Sequence, residues 1–299
     1  MSGATVVGGT RRQLELALAE RLGSAQEARW MAEDVLGCAG AGADPVPEEA
    51  RVRLEALASR RCAGEPLQYV LGRWPFRTLE LAIDGRALIP RPETEQLVGV
   101  ALDELGTLAD PSSDRVVVDL GTGSGAIGLA LAAEAAGTYD HLRVFCIDES
   151  EDALALAGEN LGALARRDRR AAAAVTLLAG HWWRALPESL VGGVQLVVSN
   201  PPYVSAAEWA GLDPGVRCFE PRSALVAGAG RDGTAGLAAI EAVLDGAARW
   251  LARPGAAVVE LAPAQAAPAQ ALARAAGARA ARVERDLAGR DRMLVATWR

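Results

Sequence analysis

Apolar residues recur at helical spacing over the first sixty positions and then change period. From about Thr10 to Cys62 three stripes stand out: Leu14, Leu16, Ala17, Leu18 and Leu22; then Trp30, Met31, Val35 and Leu36; then Val52, Leu54, Leu57 and Ala58. They predict a small helical bundle, with the Gly/Ala/Pro-rich stretch 40–47 as the break between its last two members. Residues 76–84 alternate apolar and polar at period two and predict a strand. Asp84-Gly85 supplies a turn, and Ala87-Leu88-Ile89 can pair back. Pro90-Arg91-Pro92 then stops that sheet, and Glu93-Thr94-Glu95 opens a helix whose first-turn acids suit its dipole.

Beyond this point strands and helices alternate, the pattern of a mostly parallel α/β sheet. Strands are predicted at 115–119, 144–148, 175–178, 194–199 and 256–261, with helices over 151–164 and 237–251. Segments 282–285 and 292–297 can make a closing pair, giving seven strands with one antiparallel edge strand. No internal repeat is visible. The reading divides the chain into a helical domain (1–74), a β-hairpin connector (75–92) and an α/β domain (93–299).

Composition narrows the function classes. A chain of 299 residues holds a full core and room for a second, smaller domain. Charged residues interrupt every apolar run before it reaches membrane-span length, and the start lacks a basic leader followed by an apolar core, so a cytoplasmic protein is expected. Cys38, Cys62, Cys146 and Cys218 lie far apart without a C-x-x-C pair, and His141 and His181 are the only histidines; neither a zinc site nor a disulfide framework is expected. The net charge of −7 argues against a large phosphate-binding surface. Every basic side chain is arginine. The one dense cluster, Arg166-Arg167-Asp168-Arg169-Arg170, has no interleaved aromatic residues and reads as a solvated loop.

Two stretches carry the chemistry. In the first, Arg115-Val-Val-Val-Asp119-Leu120 runs into Gly121-Thr122-Gly123-Ser124-Gly125 and then an Ala-rich helix. Glycines at alternate positions tolerate positive φ and let backbone lie against a ligand. Asp148, which ends the next strand, stands where such folds bind a ribose. Taken alone, the turn is equally compatible with a dehydrogenase-type nucleotide site or with tight packing. In the second, Val197-Val198-Ser199 ends a buried strand and Asn200-Pro201-Pro202-Tyr203 follows. Two prolines remove two donors and forbid a helix start, so the chain leaves the sheet as a stiff corner suited to something planar and polar.

Together these motifs resemble the S-adenosylmethionine-dependent methyltransferases that modify a planar nitrogen. Gly64-Glu65-Pro66-Leu67-Gln68-Tyr69, Pro90-Arg91-Pro92-Glu93-Thr94-Glu95, Phe219-Glu220-Pro221-Arg222-Ser223 and the terminal Asp286–Arg292 segment are similar to the peptide chain release factor glutamine methyltransferases, PrmC/HemK. The resemblance runs from about residue 11 to the end. It implies a seven-stranded Rossmann-like sheet with a small N-terminal helical substrate-recognition domain, S-adenosyl-L-methionine as cofactor, no metal, and methylation of the glutamine of the GGQ motif in class 1 release factors.

The resemblance also implies roles. Gly121, Thr122, Gly123, Ser124 and Gly125 line the methionine and ribose portions of the cofactor, Asp148 accepts ribose hydroxyls, and Trp182 packs on adenine, with Trp183 as the neighbouring alternative. His181 stands where the family often has an acid, and reads as an exposed edge residue rather than a base. Asp119 either meets the cofactor's ammonium group or caps the turn. Asn200, which also approaches the cofactor, and the Pro201 carbonyl hold the substrate NH₂; Pro202 stiffens the corner, and Tyr203 packs on the flat amide. A monomer is expected, without membrane attachment or direct nucleic-acid binding. The alternatives are a methyltransferase for the exocyclic amine of adenine or guanine in nucleic acid, and a non-catalytic cofactor-binding scaffold.

Overall fold

A computed structural model describes residues 9–37, 45–108 and 114–299. Cys38 and most of the predicted break at 40–47 therefore lie outside the described residues. The chain forms two compact units, one of Met1–Arg73 with Asp213–Phe219 and one of Trp74–Leu212 with Glu220–Arg299.

In the first unit the three apolar stripes become α1 (Arg11–Leu22), α2 (Ala25–Leu36) and α3 (Glu48–Cys62). Gly23 ends α1 in the left-handed region, and Ser24 caps α2 by accepting from the Glu27 N–H at 3.2 Å. Leu14, Leu18, Ala28, Met31, Leu54 and Ala58 form the buried face. Leu16 and Val52, which the stripes include, are 63% and 61% exposed, because each sits two residues from a core position and so across the helix from it. Arginines tie the helices together: Arg61 reaches Glu27 at 2.7 and 3.0 Å, and Arg21 reaches Glu55 at 2.6 Å. A short helix, α4 (Leu67–Leu71), lies where only a connector is expected, and a further one, Pro214–Phe219, comes from the inserted segment.

The hairpin is displaced from its predicted place. Its strands are β1 (Arg73–Phe76) and β2 (Leu79–Ala82), and the turn falls at Arg77, where φ is +51°. No local turn signal marks that position. It is held from a distance: the Arg77 guanidinium grips Glu134 at 2.6 and 2.5 Å and donates to the Glu95 carbonyl at 2.9 Å. Residues 83–91 form no strand.

The remainder runs α5 (Pro92–Thr107), β3 (Arg115–Leu120), α6 (Ala126–Ala135), β4 (Leu142–Asp148), α7 (Glu151–Arg167), α8 (Arg169–Ala173), β5 (Val175–Ala179), β6 (Val194–Ser199), α9 (Ala206–Trp209), α10 (Pro214–Phe219), α11 (Ala238–Trp250), β7 (Leu251–Glu260), α12 (Ala266–Ala275), β8 (Ala280–Arg285) and β9 (Asp291–Trp298). Seven strands pair in the order β5-β4-β3-β6-β7-β9-β8. The strands from β5 to β7 are parallel, and β9 is antiparallel to both its neighbours. The antiparallel strand is thus not the edge strand. β9, Met293–Trp298 of which is buried throughout, needs a partner on each side; β8, with alternating exposed and charged positions, tolerates the edge. Strand order reverses between β3 and its two neighbours, β4 and β6, and ligands of open α/β sheets gather at such a switch point. Among the described residues no helix is long and apolar enough to cross a membrane.

Candidate active site

Four parallel strands, β4, β3, β6 and β7, end side by side, and three of them end in or beside an acid: Asp148, Asp119 and Glu260. The strand ends are tied laterally, since Ser199 Oγ donates to the Leu120 carbonyl at 2.6 Å. Above them opens a cavity of about 440 Å³, within the range of small-molecule sites.

Gly121, Thr122, Gly123, Ser124, Asp148, Trp182, Asn200 and Pro202 all line this cavity, so residues far apart in sequence meet as expected. Gly125, Pro201 and Tyr203 do not line it. Gly125 caps α6 at φ +84°, and a Cβ there would strike Leu129 at 2.9 Å, so its smallness serves packing. Trp183 points away into the core, stacking on Trp250 and donating to the Val243 carbonyl at 3.0 Å. Trp182 is the half-buried partner that lines the cavity, held at φ +49°, a conformation costing a bulky residue on the order of 1–2 kcal/mol. Its ring lies against the turn: a Cβ on Gly121 would be 3.7 Å from it. His181 stands on the rim with its side chain 58% exposed and Glu149 at 3.9 Å.

Four of the five N–H groups of the glycine turn are taken by its own surroundings. The N–H groups of Gly121 and Thr122 both donate to the Ile147 carbonyl at 2.9 Å, that of Gly123 to Asp148 Oδ2 at 2.8 Å, and that of Gly125 to the Thr122 carbonyl at 2.9 Å. A phosphate-binding turn directs such groups at its ligand; this one spends them inward. Asp119, fully buried beneath it, accepts from Thr122 Oγ1 at 2.6 Å and the Gly128 N–H at 3.0 Å, while its Oδ1 has no partner among the described residues. Burial pushes its carboxyl up to about 7. Asp148 is also raised by burial, and its Oδ1 accepts from the Ser150 N–H at 2.9 Å. Of the cationic side chains lining the cavity, Arg86 is engaged by Asp84 and Glu159. A wall rich in carboxylates, with a turn that offers few free donors, suits a cationic nucleoside better than a dinucleotide.

Sequence reasoning missed the groups that hold the corner. Asn200 Nδ2 donates to Thr94 Oγ1 at 3.2 Å, and Thr94 Oγ1 donates to Glu260 Oε2 at 2.7 Å. The Asn200 Oδ1 is buried without a partner among the described residues. The Tyr203 hydroxyl donates to Glu260 Oε1 at 3.4 Å; burial and that acid push the phenol up to about 12. Gln265 Nε2 donates to the Tyr203 carbonyl at 3.1 Å, and a Cβ on Gly236 would come within 2.1 Å of the same oxygen. Glu220 accepts from the Ile89 N–H at 3.1 Å and from Arg91 at 2.5 Å, pinning the segment that carries Ala87, Leu88 and Pro90 along the cavity. Asn160 does the same from the other side, accepting from the Ala82 N–H at 2.7 Å and donating to the Ser124 carbonyl at 2.9 Å. One local signal pointed to Glu260: an acid ending an apolar strand, as Asp148 does.

Residues 10–72 match the PrmC N-terminal domain and residues 104–211 the methyltransferase small domain. The release factor glutamine methyltransferase of Bordetella pertussis is 41% identical over 272 residues, spanning 89% of this chain and 92% of that protein. The protein of the same name from Gloeobacter violaceus is 38% identical over 250 residues, spanning 83% and 80%. Among solved structures, the N-terminal domain of human METTL16 in complex with SAH superposes with a TM-score of 0.50 at 14% identity over 90% of this chain and 92% of that one, a likeness of fold alone. With relatives at this identity spanning most of both chains, the chain belongs to the release factor glutamine methyltransferase family.

Proposed function

We propose that this chain transfers a methyl group from S-adenosyl-L-methionine to the side-chain amide nitrogen of the glutamine in the GGQ motif of class 1 release factors. The observation that carries the reading is the Asn200 Oδ1, a buried acceptor without a partner among the described residues, on a residue that lines the cavity together with the glycine turn. Leaving a buried acceptor unmade costs about 1–3 kcal/mol, and an NH₂ group supplied by a substrate removes that cost. The residues present fit the cofactor. Asp148 would take the ribose, Trp182 the adenine, and Gly121, Thr122, Gly123 and Ser124 the methionine portion.

The bound cofactor supplies an electrophilic methyl group on a positively charged sulfur, which leaves as a neutral thioether without metal assistance. The protein's task lies on the other reactant. An amide nitrogen is a poor nucleophile because its lone pair is delocalised into the carbonyl. Asn200 Oδ1 would accept one of its N–H bonds and aim it, with reacting atoms at roughly 3–3.5 Å. The Pro201 carbonyl, although Pro201 does not itself line the cavity, would be the second acceptor beside it. As nitrogen takes the methyl group and becomes positive, the same acceptors hold it more strongly than they held the ground state. The step closes when one N–H proton is given up to water, leaving the neutral N-methyl amide. Pro201 and Pro202 keep those acceptors from relaxing. Tyr203, raised to about 12, stays a neutral phenol and braces Glu260 from behind the corner.

The helical unit would recognise the body of the release factor, and the enzyme would act as a cytoplasmic monomer. The inserted segment Asp213–Phe219, which belongs to that unit, leaves the chain ten residues after Tyr203 and returns at Glu220. A methyl-transfer assay with labelled S-adenosyl-L-methionine tests the reading, with purified release factor, its loop Gln→Ala variant and total RNA offered side by side. Label on the release factor that vanishes in the variant is expected. Label on RNA alone would overturn the substrate and keep the cofactor.

A further inference from the structure

We propose that Thr94 and Glu260 are positioning residues for the methyl transfer, locking the Asn200 amide so that its oxygen rather than its nitrogen faces the substrate. The inference rests on the function proposed above. Glu260 ends β7 and is 1% exposed, among the most buried acids of the chain. Burying a carboxylate is costly unless hydrogen bonds satisfy it, and here the bonds it receives come from the corner: Thr94 Oγ1 at 2.7 Å and the Tyr203 hydroxyl at 3.4 Å.

The direction of these bonds follows from proton counting. With Glu260 ionised, its carboxylate only accepts, so the single hydroxyl proton of Thr94 goes to Glu260. The hydroxyl oxygen can then only accept, and Asn200 Nδ2 donates into it at 3.2 Å. With Nδ2 engaged, Oδ1 is the atom left for the substrate, and among the described residues it is the atom without a partner. Turned over, the amide would set Oδ1 against an oxygen whose proton is already committed. Its outward NH₂ would then confront the NH₂ of the incoming glutamine. One buried acid, acting through one hydroxyl, therefore decides whether the corner attracts or repels its substrate. Thr94 lies 106 positions from Asn200, and Glu260 a further 60 beyond it on the far side of the corner motif, so the lock closes only when the sheet and α5 are assembled.

Single-turnover transfer to purified release factor is measured for the wild type, Thr94→Val, Thr94→Ser, Asn200→Ala and the Thr94→Val/Asn200→Ala pair, with cofactor Kd and Tm for each. Thr94→Val keeps the shape and loses the relay. It is expected to slow transfer at saturating substrates by about 10–100-fold while changing cofactor Kd by less than about 3-fold. Thr94→Ser should return to within a few-fold of wild type. In the Asn200→Ala background, Thr94→Val should cost nothing further, because its effect passes through the missing amide. A wild-type rate in Thr94→Val, or an undiminished extra loss in the double variant, would overturn the proposal. If the valine variant does not fold, Glu260→Gln is measured in its place: its amide can donate to Thr94, and a slowed transfer that vanishes in the Asn200→Ala background is the expected result. Failure of the wild type to label the loop glutamine would sink the function itself, before any variant is compared.

Discussion

The two walls of the cavity are built on opposite principles. The glycine turn is largely finished before any ligand arrives: four of its five amides are spent on the Ile147 carbonyl, Asp148 and Thr122, with partners close in sequence or on the adjacent strand. Only the Asp119 Oδ1 beneath it is left open among the buried side-chain atoms described for this wall. The Asn200 corner is unfinished. Its one free acceptor is buried and waiting, and the groups that aim it come from α5, β7 and the segment before α12. A finished wall binds a ligand by shape, whereas an unfinished one holds back its interaction until the reacting group is present. That is the division expected between cofactor binding and transition-state stabilisation.

The sharpest way to break this comparison is Asn200→Ala. Transfer is expected to fall by about 10²–10³-fold, the scale for losing one preorganised polar contact. Cofactor Kd, read by calorimetry, should stay within a few-fold. If the cofactor were lost together with the rate, the corner would be part of the cofactor wall and the division would fail.

The complementary substitution, Asp148→Ala, should do the reverse on a smaller scale. It removes the acceptor of both the Gly123 and Ser150 N–H groups, and is expected to weaken the cofactor by about 10–100-fold. At saturating cofactor the transfer rate should recover to within several-fold of wild type. A rate that stays low at saturation would show that the turn also shapes the chemistry.

The same contrast explains what could be read from the chain. Alternating glycines, a strand-ending acid and Asn-Pro-Pro-Tyr are local words, and each landed at the sheet edge where strand order predicts a site. The strand count of the main sheet and the long helices α7 and α11 were legible for the same reason, since period and breakers are local. What escaped was held by distant partners: the hairpin turn at Arg77, fixed by Glu134 and Glu95; the place of β9 inside the sheet; Thr94, Glu220, Glu260 and Gln265 around the corner. Residues 87–90 illustrate the limit. Their residues can be written as a returning strand, while the family resemblance brings the segment toward the cofactor; the Glu220 contact to the Ile89 N–H is what holds it as a cavity wall rather than a strand.

A smaller effect links the two walls, because each rests on a buried acid at a strand end. Burial raises Glu260 from an ordinary 4.5 to about 7, against the lowering influence of Thr94, Arg292 and Tyr203 and with Glu93 adding to the rise; Asp119 is raised to about 7 by burial and by Asp148, against its bonds from Thr122 and Gly128. A raised folded-state value means that the native protein holds a proton the unfolded chain releases. The stabilisation linked to that proton is full below the ordinary value and is lost as pH rises through about 7. Wild-type Tm should therefore fall between about pH 4 and 7, each acid contributing on the order of 3–4 kcal/mol across that window. Glu260→Gln and Asp119→Asn should each flatten the fall by their own share and, being far apart in the network, nearly additively together. The walls would then separate on activity: the Glu260 variant should slow transfer, the Asp119 variant should weaken the cofactor. An unchanged Tm slope in both variants would mean the two acids stay ionised on folding, and that the finished and unfinished walls do not share this foundation.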